Sequence, residues 1–566
     1  MFVVCLLTVS FFVGAAKAAD PKPVITLSIS SYSALLDAGK AIATQVGQGD
    51  NYEMVQLVFG TLPGTDSKKP LGFVLFATDE EFLPVVFLPV GDLNKLTGQY
   101  SMIDSVLSEY LEEVSPGKYL LATGSIDLVL EQKKNWLILY PESHPKLAVA
   151  DPSVFLNGLD KKYLLAIEVN FENTPKELVL QLISVAEMMM SMLNPEAAGQ
   201  FATAKEQVEL LLDEGKSLLE GFNVDPKTGD ITIEVAMEVK PNGTLAQGIK
   251  SQKDGKTNFS GFYRPEQAAA FVGIGVIPDA QKAAQINQVE SFFASAIEGV
   301  EDELEGDALE FVQGLLESLK EIVVATIEDG KTDIAASWKS TGEVFFAGRI
   351  AKGNQLSDVL KKVATGISEV TTDLEDLLKI EYMTFEGYKF SSLSVPLTLF
   401  PIHPGYEELF GYLEDKSICF LIGVKNDAVC GAFGTDVSKL EAILKKCISD
   451  SKTPAALPKT VLSFSLPLAA GAIQSLDLLP SEPVLDAVLD SLMSSPKDAR
   501  ITGATEITTS ARSTKSGVEF KISGKVIAAI AKAVAAGNEA QMQSVLDSDP
   551  FEETPKPREK TRDFNF

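Results

Sequence analysis

The residues able to do acid–base or nucleophilic chemistry are few and scattered. Only two histidines, His144 and His403, occur in 566 residues, each directly before a proline. A hydrolase of the nucleophile–base type needs a serine or cysteine held beside such a base. The Gly-x-Ser-x-Gly elbow that presents a nucleophile is absent. Lys227-Thr228-Gly229 and Ser115…Lys118 match two of the three signatures of serine β-lactamases. The third, Ser-Asp-Asn, is missing, and Pro116-Gly117 makes the Ser115 segment a turn instead of a helix start. No phosphate-binding glycine loop or dinucleotide fingerprint is found. Acidic groups such as Asp373, Glu375 and Asp376 fall on predicted helices and lack calcium-loop spacing. Carboxylates are too numerous for any pair to be singled out as a glycosidase couple. No catalytic residue, cofactor or metal ligand is assigned, which leaves a carboxylate-only hydrolase as the weakest of three functional readings.

Two further groups of residues carry possible chemistry. Cys419, Cys430 and Cys447 follow Cys5, which lies in the N-terminal apolar run. In an oxidising compartment a disulfide among the three is expected, as Cys419–Cys430 across a hairpin or Cys430–Cys447 from strand to helix. The odd count leaves one thiol over. Met188, Met189, Met190 and Met192 cluster at the end of a predicted helix. Such a cluster adapts to varied apolar ligands, and equally fills irregular cores.

The chain must position these groups within more than one domain, because 566 residues exceed one ordinary core. With 78 acidic and 49 basic residues the formal charge is −29. Such a field repels phosphate backbones and excludes nucleic acid as a partner class. Met1–Ala19 is an apolar run ending in small residues, with Ala16-Lys17-Ala18 matching a leader-peptidase site. Export to a periplasmic or extracellular location is expected, with no membrane span after cleavage.

Hydrophobic periodicity predicts an α+β protein, with largely antiparallel sheets and amphipathic helices packed on them. The segment Ser125–Leu147, SIDLVLEQKKNWLILYPESHPKL, reads as strand, turn, strand and helix start. Ser417–Leu440, SICFLIGVKNDAVCGAFGTDVSKL, repeats that order. The expectation is two copies of one sheet-plus-helices unit: a leader at 1–19, copy one at 20–250, copy two at 251–540, and a disordered charged tail at 541–566. Further predicted elements are a helix opening at Asp92, a helical hairpin from Pro175 to about Phe222, and a short helix at Tyr406–Leu413. Ile231–Lys240 is the clearest strand, alternating Ile231, Ile233, Val235, Met237 and Val239 with polar residues. Trp136 and Trp338 sit among apolar strand residues and read as core.

The leader, the acidic composition, the duplicated unit and the strand at Lys134–Leu139 resemble uncharacterised secreted proteins of planctomycete-type bacteria. That resemblance implies export and carries no activity. The leading expectation is a non-enzymatic binding or structural protein of the bacterial envelope, with an unknown envelope protein or an apolar ligand as partner. The alternative is a carrier that holds a lipid or other apolar ligand between helices and sheet.

Overall fold

The computed structural model describes residues 20–59, 64–91, 111–122, 127–193, 198–253, 255–301, 306–370, 377–397, 416–476 and 482–547. The leader, the helix expected from Asp92, the helix at Tyr406–Leu413, His403 and residues 548–566 lie outside the described residues.

The first part of the chain runs β1 (Lys22–Ile29), α1 (Tyr32–Gln45), α2 (Gly49–Phe59), β2 (Leu71–Ala77), β3 (Phe82–Leu88), β4 (Leu111–Ser115), β5 (Lys118–Ala122), β6 (Asp127–Lys133), β7 (Trp136–Pro141), α3 (Leu159–Lys162), β8 (Leu165–Asn170), α4 (Lys176–Leu193), α5 (Ala198–Glu214), β9 (Gly215–Val224), β10 (Ile231–Val239) and α6 (Thr244–Lys253). The second part runs β11 (Ala269–Val276), α7 (Asp279–Glu301), α8 (Asp307–Asp329), β12 (Lys331–Trp338), β13 (Val344–Arg349), α9 (Gly353–Val370), β14 (Leu378–Phe385), β15 (Tyr388–Pro396), β16 (Ser417–Lys425), β17 (Ala428–Gly434), α10 (Val437–Asp450), β18 (Thr460–Ser465), α11 (Leu466–Leu476), α12 (Pro483–Met493), β19 (Arg500–Thr509), β20 (Thr514–Ile522) and α13 (Gly524–Asp547).

These twenty strands form one antiparallel sheet, and Lys256–Thr257 pairs with Ala455–Ala456 in a separate two-stranded one. The spatial order of the large sheet is β4-β5-β6-β7-β3-β2-β1-β8-β9-β10, then β20-β19-β18-β11-β12-β13-β17-β16-β15-β14. The two halves meet where β10 pairs with β20, from Ile231↔Ile522 to Val239↔Thr514. Counted inward from either edge, each half follows the same chain order. The α+β expectation holds, and the segments at Ser125 and Ser417 become the hairpins β6–β7 and β16–β17. Ser125 and Ile126 themselves lie outside the described residues.

Each outer lobe buries its own core against the sheet. In the first, Val85, Phe87, Ile138 and Tyr140 pack under turns of 3-10 helix around Leu147 and Leu156. In the second, Leu421, Cys430, Phe345 and Phe390 pack under α10, through Leu440 and Leu444. Asp436 caps α10, accepting from the Ser438 and Lys439 amides at 2.8 and 3.2 Å. Burying an aliphatic or aromatic side chain of this kind stabilises the fold by roughly 1.5–3 kcal/mol. Trp136 is buried and Trp338 partly so, as their neighbours led us to expect.

Three local expectations are corrected. The second helix of the hairpin stops at Glu214, and Gly215–Val224 is β9, paired along its length with β10. Its leucines continue the helical pattern, but β10 needs a partner, and Asp225 ties the connecting turn by accepting from the Lys227 and Thr228 amides. Gly221 belongs to the strand because a Cβ there would lie 2.3 Å from the Tyr163 ring. Ile380–Phe390 reads by its residue types as one strand, but the chain turns within it at Glu386-Gly387, both left-handed at φ 50° and 84°. This suits a two-residue hairpin. The last helix continues to Asp547, through the start expected for the tail.

Candidate functional site

The pleat divides the sheet into two faces. The back face of the central strands carries Glu168, Glu234, Glu238 and Lys515. Glu234 accepts from the Tyr163 hydroxyl at 2.8 Å and from Lys162 at 3.1 Å. Burial, with the Glu238 carboxylate beside it, pushes the Glu168 pKa above its ordinary value, against the pull of Lys515.

The front face is apolar across the middle of the molecule. One row of register partners is Leu75, Ile25, Val169, Leu218, Met237, Ser516 and Ile507. Another is Leu165, Phe222, Ile233, Phe520, Gly503, Leu462, Phe271, Ala336 and Phe346. Large side chains on this face are left open: Ile167 is 37% exposed, Phe271 40%, Ile334 44% and Phe346 41%. Phe271, Ile334 and Phe346 sit on the neighbouring strands β11, β12 and β13, and Ile167 stands apart on β8.

Two hollows lie on the front face. The first, about 370 Å³, sits between β1, β2 and β8 and the α4–α5 pair. Ile25, Leu75 and Val169 form its floor, and Val179, Leu182, Val208 and Leu212 its helical wall. Thr174 is its one polar lining residue, and that hydroxyl already donates to the Asn170 carbonyl at 2.7 Å. The second is a groove of about 590 Å³ over β11, β18, β19 and β20. Leu462, Ile507, Val518 and Phe520 line it, with Lys253 and Lys459 at its border.

A polar hollow of about 330 Å³ lies in the second outer lobe, near Tyr388, Arg349 and Lys452. Its cations are largely spent on acids: Arg349 pairs with Asp329 at 3.0 Å and Lys452 with Glu386 at 2.8 Å. It holds no nucleophile set against a base.

The other groups singled out from sequence do not converge. His144 is held at a turn, its Nδ1 2.9 Å from the Ser143 hydroxyl and its Nε2 3.9 Å from Glu81. None of the three hollows is lined by these residues. Lys227 and Thr228 lie in the exposed β9–β10 turn, far along the chain from the β4–β5 turn that holds Ser115 and Lys118. Among the described residues no cluster of His, Cys, Asp and Glu could hold a metal ion.

Cys419, Cys430 and Cys447 are buried free thiols. The register sets Cys419 opposite Gly434 and Cys430 opposite Gly423. The two sulfurs are therefore four residues apart along the hairpin, roughly 13 Å, too far for the bridge considered across it. Burial pushes the Cys447 thiol up to about 11 and raises Cys430 as well. Burial thus favours the protonated thiol at both.

Met188 is 53% exposed and does not line the hollow under α4–α5. The side chains of Met189, Met190 and Met192 lie outside the described residues. The wall residues Val179, Leu182, Val208 and Leu212 come from the two helices of the same hairpin. Ile25, Leu75 and Val169 were not marked from sequence, because only the strand register brings them together. Among the described residues no helix is long and apolar enough to cross a membrane. No family model, curated protein or solved structure matches the chain.

Proposed function

We propose that this is an exported, non-enzymatic binding protein made of two tandem copies of one unit, and that it carries an apolar chain-like ligand on the front face of its sheet. The duplication is supported by the identical strand order of the two halves and by the like positions of the Ser125 and Ser417 segments. Export rests on the leader-like N-terminus and the acidic composition. The ligand reading rests on one observation above all: a hollow of about 370 Å³ between sheet and helices whose lining is apolar save for Thr174. An apolar lining of this kind suits a hydrocarbon chain, because water held there would lack polar partners.

The test is native mass spectrometry of the protein recovered from the exporting cell, followed by organic extraction. A bound apolar molecule released by extraction is the expected result. A bare polypeptide mass that does not change on incubation with excess hexadecanol would overturn the reading. If a stable protein partner is recovered in its place, the scaffold reading gains.

A further inference from the structure

The two front-face hollows differ at their borders, and the difference gives a bound ligand a direction. We propose that the ligand is a single-chain anionic amphiphile, with its tail under α4–α5 and its head at Lys253 and Lys459; this deepens the carrier reading and rests on it.

The first support is geometric. From Ile25 the row passes Val169, Leu218, Met237 and Ser516 to Ile507, a lining residue of the second groove. Five strand spacings of ~4.8 Å make roughly 24 Å. That length suits one long acyl chain laid across the strands. The path crosses the β10–β20 junction, so both halves contribute to one site.

The second support is electrostatic. The tail hollow has no charged lining residue. The groove has two, Lys253 and Lys459, and no acid. Both lysines are exposed, and among the described residues neither forms an ion pair. Lys253 donates to the Thr509 hydroxyl at 2.9 Å, which holds its ammonium over the end of β19. In a chain with 29 more acids than bases, two lysines without an ion pair among the described residues, at the rim of an apolar groove, form a local site for a negative head. A carboxylate and a phosphate share this chemistry, so a fatty acid and a lysophospholipid are its two sources.

The experiment compares palmitate, lysophosphatidylglycerol, hexadecanol and hexadecyltrimethylammonium by titration calorimetry on the full chain, with decanoate as a short-chain control. Palmitate or the lysophospholipid should bind at least tenfold tighter than the cationic chain, and the tighter of the two names the source. In Lys253→Gln/Lys459→Gln that preference should fall by about tenfold, or 1.4 kcal/mol, with hexadecanol unchanged. Leu182→Trp should weaken palmitate and spare decanoate, because only the longer chain reaches the first hollow. If hexadecanol, palmitate and the cation bind alike in wild type and double variant, the assigned head site is wrong while the carrier reading stands. If Leu182→Trp affects both chain lengths equally, or neither, the assigned direction is wrong. If none of the probes binds, both readings fail.

Discussion

Ile25, Leu75 and Val169 meet across β1, β2 and β8, and a hollow separates them from α4–α5. In the other half, Ala269, Trp338 and Phe464 meet across β11, β12 and β18, and there the two aromatic side chains are packed against α11. Trp338 and Phe464 pack with Leu468, Ala268, Ala469 and Ala472. The strand order is alike in the two halves, but the side chains at these places differ in size. Alanines on α11 let the helix settle onto two aromatic rings. Val179, Leu182, Val208 and Leu212 instead hold α4 and α5 off a floor of aliphatic side chains. The helices differ as well: α4 and α5 have 18 and 17 residues, α11 and α12 have 11 each. One place is packed with aromatic rings, and the other is left open.

The comparison breaks most readily at the packed site. Trp338→Ala should cost about 3 kcal/mol, since it removes a large partly buried ring and leaves a cavity. It also removes the indole bond to the Gly342 carbonyl. Leu75→Ala, at the hollow site, should cost only about 2 kcal/mol, the low end for a buried leucine, because its surroundings are already open. Urea denaturation of both variants checks the order, and equal losses would mean that the two places are packed alike. Leu182→Trp is expected to leave the thermal midpoint unchanged or raised, as a filled void should, and to weaken apolar ligand binding at least tenfold. A large fall in midpoint would show that the hollow cannot accept a ring.

The smallest effect lies on the back face. There the folded chain holds the Glu168 proton more tightly than the unfolded chain does, because burial and Glu238 raise its pKa. An ionised Glu168 therefore opposes folding as pH rises through its folded pKa. Glu168→Gln should raise the thermal midpoint slightly near neutral pH. The gain should vanish in acid below the ordinary glutamate pKa of about 4.3. A loss at neutral pH would mean that the charge is favourably paired, most simply with Lys515.

Much of the architecture was legible because it is locally written. Ile231–Val239 alternates cleanly, the β6–β7 and β16–β17 hairpins carry polar turns between apolar runs, and Ser31 caps α1 by accepting from the Ala34 amide at 3.1 Å. What stayed hidden depends on distant partners. Lys216–Leu219 looks helical until β10 lies beside it, and Gly221 makes sense only against the Tyr163 ring. The site was less legible than the fold. Its floor comes from three strands whose register no local pattern announces, and its wall residues look like any amphipathic helix face.

The space under α4–α5 is open, whereas Trp338 and Phe464 are packed against α11. The most direct test of this contrast is native mass spectrometry of the full chain titrated with hexadecanol, alongside Leu182→Trp. One molecule per wild-type chain and none on the variant is the predicted result. Two equivalent molecules per chain, or binding that persists in Leu182→Trp, would contradict it.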